Sequence, residues 1–267
     1  MKITQEMIRL FDEYTHRPLR RDEFLNQLAR LAGGTAAAMT ILPALEGSYA
    51  ASAQVAEDDP SIQISTAEFP SPNGTMKGYL VQPSQMKGLL GAILVIHENR
   101  GLTPHIQDVT RRIAKEGFIA LGIDALSLMG GTPTNEDEGR ALIGKLDPKQ
   151  NIENIQSGLA FLRTLKNSNK KTGAIGFCWG GGVVNDLAIV DPALTVGIPY
   201  YGRQPAAESV NKIKAHMMMH YAGLDERINA GIPAYEAALK ANQVDYQLFV
   251  YEGAQHAFNN DSSPARY

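Results

Sequence analysis

Cys178 is the sole cysteine of this 267-residue chain. It stands in Gly176-Phe177-Cys178-Trp179-Gly180, with Gly181 and Gly182 following. A nucleophilic residue between two such glycines, after a strand and before a helix, has the form of a nucleophile elbow. The turn is sharp enough to strain the central residue, and side chains on its neighbours would collide. A thiol at that point faces the unpaired N–H groups of a helix N-terminus, which favour the thiolate. Such a nucleophile needs a base, and the base needs an acceptor to orient it. Where elbows of this kind occur, the chain order is nucleophile, carboxylate, histidine. Asp225, in Tyr221-Ala222-Gly223-Leu224-Asp225, and His256, in Gly253-Ala254-Gln255-His256-Ala257-Phe258, supply that order. Competing readings stand beside these. They are a lone buried cysteine in a Gly-rich turn, a helix N-cap for Asp225 and an ordinary loop role for His256.

The other histidines fit less well. His97 and His105 precede the nucleophile, and His216 and His220 fall within one strand-like run. No carboxylate or cysteine cluster completes a metal site around them, so neither a metal nor a cofactor is expected.

The elements that must position these groups follow from hydropathy. Residues 62–69 alternate as a strand, Pro72-Asn73-Gly74 makes a turn, and residues 76–81 answer as the second arm of a hairpin. From residue 92 the pattern becomes strand–helix alternation. Residues 92–96 form a continuous apolar run, as a strand buried on both faces should. A helix over 104–115 has Thr103 as N-cap and Pro104 in its first turn. Further strands are expected at 118–123, 172–177, 195–200, 216–221 and 246–251. Helices are expected at 151–165, 183–190, 207–214 and 230–241, with a Gly-rich loop at 129–133. This pattern predicts an α/β fold with a mostly parallel, doubly wound sheet and helices on both faces. Ligand sites in such sheets lie beyond the carboxyl ends of the strands, where the elbow falls.

Residues 1–60 read as an appendage, and 61–267 as the main domain. Met7, Ile8, Leu10, Phe11 and Tyr14, then Phe24, Leu25, Leu28 and Leu31, recur at helical spacing, with Pro18 between the two segments. One reading is a small amphipathic hairpin packed on the domain. The other is export. Arg20-Arg21 precede Phe24-Leu25, a modestly apolar stretch over 28–45 and the small-residue pattern Ala51-Ser52-Ala53, which resembles a twin-arginine signal. That reading places the protein in the periplasm, and the alternative is the cytoplasm. Residues 46–60 read as a linker by composition. The net charge of −3 and the lack of a basic stripe argue against nucleic acid. No apolar run of about 18 residues or more, the length that spans a membrane, is present.

The stretch Ile96-His97-Glu98-Asn99-Arg100-Gly101-Leu102, the elbow, Tyr200-Tyr201-Gly202, and the surroundings of Asp225 and His256 together resemble the dienelactone hydrolase family from about residue 62 onward. The resemblance implies an α/β-hydrolase fold with a Cys178–His256–Asp225 triad that opens small lactones and esters. It also implies an oxyanion hole of the Trp179 and Asn99 backbone N–H groups. By the same resemblance Glu98 contacts the resting thiol, disfavouring the thiolate until substrate binds. A salt bridge from Glu98 to Arg100 is the competing reading.

Two features depart from the family pattern. The arginines that grip a substrate carboxylate are missing after residues 118–123 and after His256. Arg100, Arg203 and Arg227 could compensate from other loops, a structural or surface charge being the competing reading for each, and Tyr201 is a further substrate-site residue. The long helix that ends the family's sheet has no counterpart after Asp261. The expected partner is a small-molecule ester or lactone, and the expected state a monomer or homodimer. The alternatives from other classes are a catalytically impaired relative serving as a binding or scaffold protein, and a thiol redox sensor.

Overall fold

The computed structural model describes residues 3–17, 19–47, 53–263, 265 and 267. Eight strands make one sheet: β1 (Ile62–Ser71), β2 (Gly74–Pro83), β3 (Leu90–Ile96), β4 (Ile119–Asp124), β5 (Ser168–Phe177), β6 (Leu194–Tyr200), β7 (His216–Ala222) and β8 (Tyr246–Tyr251). Their order is β1-β2-β4-β3-β5-β6-β7-β8. The β1–β2 hairpin is antiparallel, and β2 joins β4 antiparallel. Every other pairing is parallel.

The apolar run of β3 explains why the sheet is covered on both sides. Successive side chains point to opposite faces. Leu94 and Ile96 enter one core with Leu121, Ile123, Ile155 and Leu159, whereas Val95 enters another with Ile106 and Val109. Each fully buried leucine or isoleucine contributes about 1.5–3 kcal/mol. The first core is closed by three helices, α6 (Pro148–Thr164), α7 (Trp179–Val190) and α9 (Ile232–Ala241). The second is closed by α4 (Pro104–Lys115).

β3 is followed by β4 on one side of it and then by β5 on the other. The winding reverses between β3 and β5, and the crevice beyond their carboxyl ends is the expected ligand position. Cys178 ends β5 there.

Local signals account for several boundaries. α6 starts earlier than its hydropathy suggests, because Asp147 accepts from the Gln150 N–H at 2.8 Å and Pro148 occupies the first turn. Thr103 takes the N-cap position of α4, but its hydroxyl makes no capping bond. The expected helix over 207–214 is a 3-10 turn, Ala207–Lys212. A helix that the sequence reading did not anticipate, α5 (Glu136–Ile143), is capped by Asn135, whose side chain accepts from Asp137 N and Glu138 N. β8 leaves Phe249, Val250 and Tyr251 exposed.

The N-terminal segment forms α1 (Gln5–His16), α2 (Arg21–Ala32) and a third helix, α3 (Thr35–Glu46). α3 lies in the stretch that resembles the apolar part of an export signal. It turns by 108° from α2 at Gly33-Gly34, with Gly33 at φ 82°, where a side chain would be strained. Phe11, Tyr14, Phe24, Leu28, Ile41 and Leu45 form a core of their own. No single helix among the described residues is long and apolar enough to cross a membrane. Pro18, expected between the first two helices, and Ala51-Ser52 of the processing pattern lie outside the described residues. The expected linker is pinned in part: Gln54 N and Val55 N donate to the Asp108 carboxylate of α4.

The three helices dock over the carboxyl end of the sheet. Tyr14 donates to Asp137 of α5 at 2.5 Å, Arg21 pairs with Asp137 at 2.7 Å, and the Arg140 guanidinium covers the Tyr14 ring at 4.2 Å. Asn99, on the loop after β3, donates to the Thr15 carbonyl at 2.6 Å. α5 thus supplies the seat that brings the end of α1 to the elbow.

Candidate active site

The elbow is built as its glycines require. Cys178 has φ 55° and ψ −113°, a strained conformation for a residue with a side chain. A Cβ on Gly180 would lie 2.5 Å from the carbonyl oxygens of Ile96 and His97, and one on Gly176 would collide with the carbonyl of Gly180. The helix N-terminus and β3 can therefore close on each other only without those side chains. Cys178 N–H donates to the Tyr200 carbonyl at 3.0 Å, which fixes the turn against β6.

Asp225 and His256 converge on this point from the loops after β7 and β8. His256 Nδ1 lies 2.5 Å from Asp225 Oδ2, and both side chains are almost fully buried. Asp225 also takes the N-cap position of a one-turn helix, α8 (Glu226–Asn229), through Oδ1 to Ile228 N–H at 3.2 Å. The capping role and the orienting role are thus filled by one carboxylate. His256 Nε2 is buried and makes no hydrogen bond. Tyr201, at φ 38°, places its ring 5.0 Å from that of His256.

The thiol's immediate neighbour is a residue that the sequence reading missed. His16, the last residue of α1, lies with Nε2 3.0 Å from Cys178 Sγ. Its Nδ1 donates to the Asp12 carbonyl at 2.8 Å and stands 3.1 Å from the Asp12 carboxylate. The His16 and His256 rings meet edge to face at 4.5 Å. The one available signal was Asp12 and His16 at an i, i+4 spacing on a helix face.

The expected hydrogen-bonding role of Glu98 at the thiol is filled here by His16; the Glu98 carboxylate accepts from Asn260 Nδ2 at 3.0 Å and lines a small pocket together with Cys178, His16 and His256. His16 occupies the flank of the thiol. Glu98 does not pair with Arg100 either: Arg100 pairs with Glu136 and covers the Phe11 ring at 5.5 Å. Arg100 thus joins the docking of the N-terminal helices, and it lines the small pocket that holds Cys178 and His256 rather than the large cavity.

The electrostatics follow from burial and two imidazoles. Burial alone would push the thiol pKa up, but the charges of His16 and His256 outweigh it and hold Cys178 at about 6. Burial works against the charge on His256, yet the facing thiolate and the Asp225 carboxylate raise it to about 10. His16 is raised in the same way by the thiolate and by Asp12, against its own burial. His97 is buried and pushed down by that burial. It bridges the Glu98 carbonyl and the Ala125 N–H, and its ring stacks on Trp179.

A cavity of about 590 Å³ opens beside the sulfur. Trp179, Asn99 and Tyr201 line it, as do Arg203 and Arg227; Arg17 and Arg140 stand on the side of the N-terminal helices and α5. Arg203 also pairs with Asp186 and is largely exposed.

Donor atoms of His16, Cys178 and His256 lie within 4.8 Å of one another, a set of zinc-ligating type. Zinc bonds of about 2.0–2.3 Å would require these side chains to draw closer. The remaining histidines serve elsewhere: His105 pairs with Asp261, His216 with Asp245, and His220 Nδ1 bonds the Tyr251 hydroxyl.

The doubly wound sheet, the elbow at its switch point and the residues gathered there define an α/β-hydrolase fold. Among solved structures, a dienelactone hydrolase from Anabaena variabilis superposes with a TM-score of 0.62 at 22% identity, covering 77% of this chain and 93% of that one; at that identity the likeness concerns the fold. A "Putative carboxymethylenebutenolidase" of Saccharolobus solfataricus is 30% identical over 229 residues, covering 72% of this chain and 88% of that protein. The "Putative hydrolase fragment YghX" of Escherichia coli K12 is 48% identical over 113 residues, 42% of this chain and 97% of that fragment. The sequence model of the dienelactone hydrolase family matches residues 76–267. The chain belongs to the dienelactone hydrolase family.

Proposed function

We propose that the protein hydrolyses small carboxylic esters or lactones through an acyl-enzyme on Cys178. The observation that carries this reading is the strained elbow thiol facing a buried His256 whose Nδ1 is held by Asp225 and whose Nε2 is unbonded. The Cys178 thiolate attacks the carbonyl carbon. The backbone N–H groups of Trp179 and Asn99 receive the developing oxyanion, and each such donor is worth about 2.7–4 kcal/mol in the barrier. Collapse of the tetrahedral species breaks the C–O bond, and the leaving alkoxide takes the proton from His256 Nε2. His256 then removes a proton from water, hydroxide adds to the thioester, and the C–S bond breaks to return the thiolate and release the acid.

The family name and that of the Saccharolobus relative point to lactones. Arg17, Arg140, Arg203 and Arg227 around the cavity favour a substrate that carries a carboxylate. They take the place of the arginines absent from the expected family positions.

The pH profile tests this reading. The thiolate form of Cys178 is present above about 6, and the imidazolium form of His256 persists up to about 10. Over an aryl-ester and lactone panel, kcat/KM is therefore expected to rise through about pH 6, hold level and fall through about pH 10. A rate still climbing tenfold per unit between pH 7 and 9 would mean an ordinary thiol and contradict the reading. Turnover at the buffer rate across the panel by a folded protein would favour a binding or scaffold role instead.

A further inference from the structure

We infer that α1 is part of the active site, and that His16, oriented by Asp12, holds Cys178 as a thiolate while His256 alone carries protons to and from substrate. The geometry divides the labour between two imidazoles. His16 Nε2 is 3.0 Å from the sulfur, whereas His256, held through Nδ1 by Asp225, faces the same sulfur with a ring nitrogen within 4.8 Å. Because His16 Nδ1 faces the Asp12 carbonyl, its proton stays on that side. Nε2 is then left to take the thiol proton, giving Sγ⁻ against Nε2–H⁺.

His16 keeps that proton through the cycle. Thioester formation removes the sulfur's charge, and collapse of the second tetrahedral species restores it against the waiting imidazolium. His256 meanwhile gives its proton to the alkoxide and regains one from water. Asp12 and Asp225 stand behind the two rings, so the chain Asp12–His16–Cys178–His256–Asp225 alternates in sign. The other charged groups around this chain are Glu98, held by Asn260; Arg227, which faces Asp12 across the crevice; and Arg9, Glu13, Arg17 and Glu226, which line the same crevice. His16 thus sets an imidazole directly against the sulfur, where the family resemblance implied the Glu98 carboxylate. The two imidazole charges outweigh the burial of the sulfur and fit a thiol at about 6. Cleavage after Ala53 would remove His16 together with α1.

The inference rests on the acyl-transfer reading only for its catalytic consequence, and a measurement on the thiol separates the two. Cys178 is the sole cysteine, so thiolate absorbance near 240 nm titrates one group in the full chain. His16→Gln is expected to raise the midpoint from about 6 to about 8, the scale of shift that an opposite charge in contact produces. Iodoacetamide alkylation at pH 7 would then fall about tenfold, recovering above pH 9. Asp12→Asn is expected to shift the midpoint in the same direction by less, and it serves if His16→Gln does not fold. A purely structural role for His16 would lower the melting temperature and leave the titration in place. An unchanged midpoint in a folded His16→Gln variant overturns the inference, whatever the hydrolytic rate.

Discussion

Replacing Cys178 with alanine is expected to lower ester or lactone turnover by about 10⁵- to 10⁶-fold, the scale found when a triad nucleophile is removed. The reason is local. The thiol is the group at the tip of the elbow, and the strained backbone that presents it is held by the bond from Cys178 N to the Tyr200 carbonyl and by close packing at Gly180. Neither depends on the sulfur, so the fold should survive. Alanine leaves the cavity and the N–H groups of Trp179 and Asn99 in place, and only that residual stabilisation remains. Thermal melting should be close to that of the parent, because the side chain removed is small and the backbone contacts that hold the elbow remain. A variant that keeps a tenth or more of the parent rate would remove Cys178 from the chemistry.

Asp225→Asn is expected to cost about 10³- to 10⁴-fold in kcat. Asparagine still caps α8, because its side-chain oxygen can accept from Ile228 N–H as the carboxylate does. What is lost is the charge 2.5 Å from His256 Nδ1. The amide can present its NH₂ to the ring and favour the wrong tautomer, and the imidazolium loses its counter-charge. Since Asp225 helps raise His256 to about 10, the alkaline limb of the pH profile should also move down. A folded variant within tenfold of the parent, with the alkaline limb in place, would show that His256 is oriented by something else.

The residues that carry short-range constraints could be read directly from the chain. Gly176 and Gly180 are forced by backbone contacts within the elbow, so the motif and its geometry coincide. Asp225 and His256 were reachable because chain order and strand ends place them on one sheet edge. α4 and β8 match residue for residue, each an uninterrupted pattern of one period.

The misses share a cause. His16 lies 162 positions from Cys178, and its periodicity reports only a helix, not the seat that Asp137 and Arg140 provide. That seat is itself on α5, a short acidic helix after a glycine-rich loop, whose start rests on the Asn135 cap alone. α3 carries Pro43 in an Ala-rich stretch, so its composition suits a leader as well as a buried helix. Glu98 was placed by analogy, and its true partner, Asn260, comes from a loop whose course no local pattern sets.

The most direct measurement is the mass of the enzyme quenched during turnover of a slowly hydrolysed ester or lactone, followed by peptide mapping. The account predicts a single added acyl mass, carried on the peptide that contains Cys178 and absent from Cys178→Ala. Full turnover with no adduct at any quench time, or an adduct on another residue, would contradict it.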